Sequence, residues 1–246
     1  MGAIASSIAL AVPRTAGLQG LRFDVRTAAR RALVALLLVA ALLTAQAATE
    51  AATEQAVLRA ATADRTSLVL VSACAPGGVT ECRSSTAFSV GPGLFVTASH
   101  SLLGSSQVIL FSALHGSVPA TVERVAGNDD LAVLRSSLLL PALRTAAAAA
   151  GETAAVICSR RAIAADGVDG SPANYVGHIG GAPIRVQDGD HQLLLERVAG
   201  AASVLGCSGS PVIDRDGAVT GVLLAGDGGS AGMVDARRLS PLLGGD

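Results

Sequence analysis

Tryptophan is absent from the 246 residues, and aromatics amount to 2%, with one tyrosine and four phenylalanines. The core must therefore be filled by aliphatic side chains rather than stacked rings. Lysine is absent too, so every basic residue is an arginine. Charge is scarce and balanced: 15% of residues are charged and the net charge is −1. Such a chain has no basic surface for a phosphate backbone, which removes nucleic acid from the expected partners. The four cysteines show no C-x-x-C spacing, and no zinc site is expected from them. Asp188, Asp190 and His191 lie close in sequence, but a solvated loop explains them better than a metal. Neither metal nor cofactor is expected. A long uninterrupted apolar run is also missing: Ala32 to Leu43 is shorter than the roughly 20 residues of a membrane-spanning helix.

What is present is 50% hydrophobic, drawn mostly from Ala, Leu and Val, together with 28 glycines. This composition is that of a globular chain. Short Val/Leu runs between glycine-containing turns favour strands over long helices. At the N-terminus Arg14, Arg22, Arg26, Arg30 and Arg31 precede the uncharged Ala32 to Leu43, and Ala45-Gln46-Ala47 follows. A positive flank, a short apolar core and Ala-x-Ala are the parts of a secretory signal peptide, expected over residues 1–47. The alternative is an uncleaved anchor, the one case in which a membrane would be a partner. Residues 48–66 read as a leader or short helix. Export would place the chain in a secreted or periplasmic setting, where disulfides persist. Cys74 and Cys82 bracket a turn-rich segment and could close a hairpin, a link worth about 2–3 kcal/mol. Cys158 and Cys207 remain, but four cysteines allow three connectivities. A buried free thiol at Cys207 is an equal alternative.

Along residues 67–137 the pattern predicts strands at Ser67–Ser72, Thr86–Val90, Leu94–Ala98, Gln107–Phe111, Val118–Val125 and Leu131–Leu134. Leu138 to Ala150 reads as a crossing linker. A second series follows over about 152–243, with strands at Ala154–Cys158, Tyr175–Ile179, Ile184–Gln187, Gln192–Val198, Val212–Ile213, Val219–Leu224 and Met233–Val234. Arg160 to Asn174 reads as a loop and Asp235 to Leu243 as a terminal helix. Asp216-Gly217 is a strong hairpin turn signal. Many short strands with turns between them predict an all-β fold.

Three short stretches carry chemistry. Phe95-Val96-Thr97-Ala98-Ser99-His100 ends an apolar strand on a histidine. Asn128-Asp129-Asp130-Leu131-Ala132-Val133-Leu134 sets an aspartate at the start of the next. Gly206-Cys207-Ser208-Gly209-Ser210-Pro211 places a serine among small residues before a strand. A serine hydroxyl is a weak nucleophile unless a base takes its proton and a third group orients that base. His, Asp and Ser in this order supply those parts. His115 in a turn, His178 on a strand and His191 in a polar loop are poor candidates for the base.

On these stretches the chain resembles the trypsin/chymotrypsin-like serine peptidases, in particular the bacterial HtrA-type (Deg) branch, over residues 67 to about 243. The resemblance implies two six-stranded antiparallel β-barrels (about 67–137 and 152–243), to which the residues add a short C-terminal helix; the PDZ module of many HtrA-type proteins is not expected, since no further domain is read after that helix. It implies an exported serine endopeptidase acting on protein or peptide substrates. Ser208 would be the nucleophile, His100 the base, and Asp130, rather than Asp129, the orienting carboxylate. The amides of Gly206 and Ser208 would form the oxyanion hole. Ala202 to Leu205 and Leu224-Ala225-Gly226 would line the specificity pocket; with no acidic residue among them, a small or medium apolar side chain is the expected occupant. Three positions depart from the pattern. Ser99 replaces an alanine, Cys207 replaces Asp or Asn, and Ser210 replaces a glycine. Cys207 cannot make the ion pair with a new N-terminus that shapes the hole in the trypsin branch; a tether from Cys207 to another strand is one candidate substitute. These departures also motivate an alternative, a catalytically weak or inactive protein of the same fold that binds rather than cleaves. An α/β-hydrolase does not fit, since no histidine follows Ser208.

Overall fold

From Val25 to Ala63 the sequence contains neither glycine nor proline and is rich in Ala and Leu, which favour helix. A computed structural model, which describes residues 25–74, 82–159, 162–164, 167–169, 173–186, 189–197, 206–226 and 230–244, forms one continuous 39-residue helix there, α1 (Val25–Ala63). The expected all-β class is thus corrected to mostly β. Contacts divide the chain into residues 1–48 and 49–246. In the first unit Leu33, Leu36, Leu38 and Leu42 are all more than half exposed, and the helix is long and apolar enough to cross a membrane. The apolar stretch is longer than Ala32–Leu43 because Ala45, Ala47 and Ala48 extend the uncharged helix to Glu50. In the second unit the last turns of α1 are packed: Val57 and Ala61 have no exposed surface.

The strands of the second unit form two curled sheets. The first holds β1 (Leu68–Cys74), β2 (Cys82–Gly91), β3 (Leu94–Ala98), β4 (Gln107–Ser112), β5 (Gly116–Ala126) and β6 (Leu131–Ser136). It closes in the order β1-β2-β3-β6-β5-β4. Closure leaves no strand edge open to another chain. A disulfide between Cys74 and Cys82 ties the β1–β2 ends, where the two residues are register partners.

The second series begins with β7 (Thr153–Cys158). Within the expected loop at 160–174 a small hairpin follows, β8 (Ala162–Ala164) paired with β9 (Gly167–Asp169). Then come β10 (Ala173–Val186), β11 (Gly189–Arg197), β12 (Pro211–Ile213), β13 (Val219–Gly226) and β14 (Ser230–Asp235). The second sheet runs β10-β11-β14-β13-β12-β7, with β7 paired back to β10. Its closure is the weaker one, because β12 has three residues and meets β7 at Val212–Val156 and Ile213–Ala155. Two expected strands are one here. Tyr175–Ile179 and the expected Ile184–Gln187, as far as Val186, both belong to β10, with a register shift between Ile179 and Pro183; Gln187 lies outside the described residues. Gly180, Gly181 and Pro183 at that point suit a bulge rather than a strand end. His191 lies within β11, not in a loop. The chain closes with a 3-10 turn at Ala236–Arg238 and α2 (Leu239–Leu243), capped by the Asp235 carboxylate on the Arg237 amide.

Packing follows this division. Val69, Val71, Phe95, Leu110 and Leu134 fill the first sheet, and Val156, Ile179, Val212, Leu223 and Met233 the second. A third cluster joins Phe88, Val96 and Leu131 of the first sheet to Ile157, Ile213 and Leu224 of the second, and includes Val57 and Ala61 of α1. The crossing linker is laced to both sides. Leu143 N–H donates to the Ser89 carbonyl, and Val219 N–H donates to the Arg144 carbonyl, each at 2.9 Å.

Candidate active site

The apolar β3 ends at Ala98, and a 3-10 turn over Ser99–Leu102 begins at once, which sets His100 at the mouth of the first barrel. Asp130 closes a second 3-10 turn, Gly127–Asp129, at φ 53°, before β6. A left-handed conformation costs most residues about 1–2 kcal/mol, and Asp and Asn tolerate it best. Register brings the two together, since β3 and β6 are neighbours with Ala98 opposite Leu131. The Ser99 amide donates to the Asp130 carbonyl at 2.9 Å.

The Asp130 carboxylate is then surrounded by donors. Its Oδ2 lies 2.5 Å from His100 Nδ1. Its Oδ1 accepts the His100 amide at 2.8 Å and the Ser99 hydroxyl at 2.7 Å. Burial pushes this carboxyl up, but the hydrogen bonds from His100 and Ser99 and the neighbouring imidazole outweigh it and hold the group below the usual carboxylate range. On the far side of the ring, His100 Nε2 is 3.1 Å from Ser208 Oγ. With Nδ1 facing a carboxylate, the neutral ring carries its proton there and offers Nε2 as acceptor to the serine hydroxyl.

Ser208 sits on a tight loop between two positive-φ glycines, Gly206 and Gly209, both at 81°. At Gly209 the glycine is required twice over. A Cβ there would collide with the Thr86 carbonyl and the Thr97 hydroxyl and come within 2.8 Å of the Ala98 amide. The loop is held by Gly209 N–H on the Leu223 carbonyl (2.7 Å) and Ser210 N–H on the Cys207 carbonyl (2.9 Å). Cys207 is disulfide-bonded to Cys158 at the end of β7, and both are fully buried. Of the two alternatives for Cys207, the structure has the disulfide.

The other sequence candidates fall elsewhere. Ala202 and Leu205 lie outside the described residues. Leu224 is on β13 with 1% exposure, packed in the cluster between the sheets; Ala225 and Gly226 follow it on the same strand. Asp129 lies 3.9 Å from Arg238 Nε. His178 Nδ1 meets the Thr153 hydroxyl at 3.2 Å, and His115 is in the turn before β5. Asp188 lies outside the described residues. Among those described, no three His, Cys, Asp or Glu side chains are grouped to hold a metal. Ser99 is legible only as a departure from a pattern; its hydroxyl bonds the Asp130 carboxylate that faces His100 Nδ1. Thr86, which touches the serine loop, gave no local signal at all.

A closed barrel and a second curled sheet with Ser, His and Asp side chains in line define the double-barrel fold of trypsin-like and HtrA-type serine proteases. Solved structures of that class match it. The active form of Rv3671c protease from M. tuberculosis is 23% identical, over 75% of this chain and 82% of that one, with a TM-score of 0.63. The HtrA-type protease AlgW with a tripeptide is 18% identical, with a TM-score of 0.62. That alignment covers 75% of this chain and 61% of AlgW, so the chain spans less than two thirds of AlgW's length. No family model matches the chain, and no curated protein does.

Proposed function

We propose that this chain is an exported serine endopeptidase. Ser208 Oγ attacks the carbonyl carbon of a peptide bond while His100 Nε2 takes its proton. The tetrahedral intermediate collapses as His100 returns the proton to the leaving amine, which departs and leaves an acyl ester on Ser208. Water, deprotonated by His100 in turn, attacks the ester, releases the acid product and restores the serine. Asp130 holds the tautomer and stabilises the imidazolium, the role of the carboxylate in Ser-His-Asp triads generally. The Gly206 and Ser208 amides receive the oxyanion; one such donor is typically worth about 10²–10³ in rate.

The observation that carries this reading is the continuous line from Asp130 Oδ2 to His100 Nδ1 at 2.5 Å and from His100 Nε2 to Ser208 Oγ at 3.1 Å. Peptides as ligands are supported by AlgW, which was solved with a tripeptide and with a decapeptide. We assign residues 67–243 to the peptidase domain and residues 1–47 to a signal peptide, or to an anchor if they are retained. Two disulfides and the apolar helix support an extracytoplasmic, secreted or periplasmic location. The substrate side chain before the scissile bond is small or medium and apolar.

Treatment of the purified chain with a fluorophosphonate, followed by peptide mapping, tests the reading. A single adduct on Ser208, absent in Ser208→Ala, is the expected result. A folded chain with no adduct would sink the peptidase reading and favour a binding protein of the same fold.

A further inference from the structure

The serine loop belongs to the second sheet and the base to the first, so something must hold one against the other. Thr86, fully buried on β2 of the first sheet, makes four hydrogen bonds that bear on this. Its amide donates to the Ser208 carbonyl at 2.9 Å. Its hydroxyl donates to the Gly206 carbonyl at 3.4 Å and accepts the Ser159 amide at 3.0 Å. Its carbonyl accepts the Thr97 hydroxyl at 2.7 Å, three residues before His100.

We propose that Thr86 is a positioning residue that fixes, from the opposite sheet, the two peptide planes flanking the one that carries the Ser208 amide, and so sets that donor for the oxyanion; this rests on the peptidase reading above. Three consecutive planes are held. The Gly206 carbonyl is held by the Thr86 hydroxyl, the Cys207 carbonyl by the Ser210 amide and the Ser208 carbonyl by the Thr86 amide. Of these, the middle plane carries the Ser208 amide, and the plane after Gly206 leads directly into it. Gly206 has φ 81° and no side chain of its own to restrain the backbone there, so the hydrogen bond to its carbonyl supplies a restraint. A hydroxyl is suited to the task because it accepts and donates at once. Here it takes the Ser159 amide on one side and gives its proton to Gly206 on the other. Ser159 follows Cys158, whose disulfide partner Cys207 is the residue after Gly206. The hydroxyl and the disulfide therefore grip the same peptide from two directions, where the trypsin branch is expected to use an ion pair. Thr97 and the missing side chain of Gly209 let the two sheets approach closely enough for the contact.

The test uses the full chain and a fluorophosphonate probe, whose phosphoryl oxygen must occupy the oxyanion hole. The second-order labelling rate per folded molecule is measured against pH for the parent, Thr86→Val and Thr86→Ser. Valine keeps the shape and removes the hydroxyl; serine keeps the hydroxyl. Thr86→Val is expected to label about 10–100-fold more slowly, with the pH midpoint of the parent because His100 and Asp130 are untouched. Thr86→Ser is expected within about threefold of the parent. A folded Thr86→Val that labels at the parent rate overturns the proposal, as does a Thr86→Ser as slow as Thr86→Val. So does a shifted pH midpoint in Thr86→Val, which would locate the effect in the base rather than the hole. If Thr86→Val does not fold, Thr86→Ala takes its place against Thr86→Ser under the same criteria. A folded parent that does not label overturns the peptidase reading, and this inference with it.

Discussion

At the scale of residues, Ser99 shows how a departure from a pattern can strengthen a site. Its hydroxyl adds a charge-assisted bond to Asp130 Oδ1 at 2.7 Å, a kind of bond worth about 1.5–3 kcal/mol. Replacement by alanine leaves that oxygen with the His100 amide alone. Ser99→Ala is therefore expected to lower kcat/KM about tenfold on a peptide ester, roughly 1.4 kcal/mol in the barrier, without unfolding the chain. An unchanged kcat/KM would show the bond to be idle. The same carboxylate makes a statement about pH. Its folded-state pKa lies below the ordinary value, so the unfolded chain binds the proton first as pH falls. The stability it contributes is complete above the usual aspartate value of about 3.9 and is lost as pH drops through the depressed one. Urea unfolding of the parent and of Asp130→Asn, compared across pH, reads this directly. The parent's stability relative to the variant should fall as pH drops below about 4. A difference that stays constant from about pH 6 to about pH 2, a range that brackets the ordinary aspartate value, would contradict the assignment.

At the scale of elements, the site is assembled by register and by one covalent link. The β3–β6 pairing sets His100 beside Asp130, and the short β12 hangs the serine loop between β7 and β13. The Cys158–Cys207 disulfide spans 49 residues, for which the chain-entropy relation gives about 4 kcal/mol. The pair Cys158→Ala with Cys207→Ala is expected to lose stability of that order, seen as a lower urea midpoint. It should also lose labelling at Ser208 by more than its unfolded fraction accounts for, because the link grips the residue before Ser208. Full labelling per folded molecule would reduce the disulfide to a staple for the fold alone.

At the scale of the whole molecule, the last turns of α1 are part of the core: Val57 and Ala61 complete the cluster between the two sheets. Removal of residues 1–48 is expected to leave a folded, labelling-competent chain. Removal of residues 1–66 empties that site; burial of a valine alone is worth about 1.5–3 kcal/mol, and at about 2–4 °C per kcal/mol for a domain of this size the Tm should fall by at least about 3–12 °C. Equal Tm values for the two truncations would show the docked turns to be dispensable. This part of α1 reads in the sequence as a leader, because Val57, Leu58 and Ala61 mark an amphipathic turn without saying what it covers. His100, Asp130 and Ser208 were legible because each sits in a short local pattern at a strand end, and strand alternation is a property of neighbouring residues. The same holds for nearly all the strands. The ring closure, the choice of a disulfide over a free thiol at Cys207, the Ser99 contact and the grip of Thr86 on Gly206 were not legible. Thr86 and Gly206 are 120 residues apart, and nothing in either stretch names the other. Local sequence periodicity dictates which residues become strands and turns; which distant backbone groups meet is decided only when two curled sheets are packed face to face, because those contacts depend on register and closure and not on near neighbours.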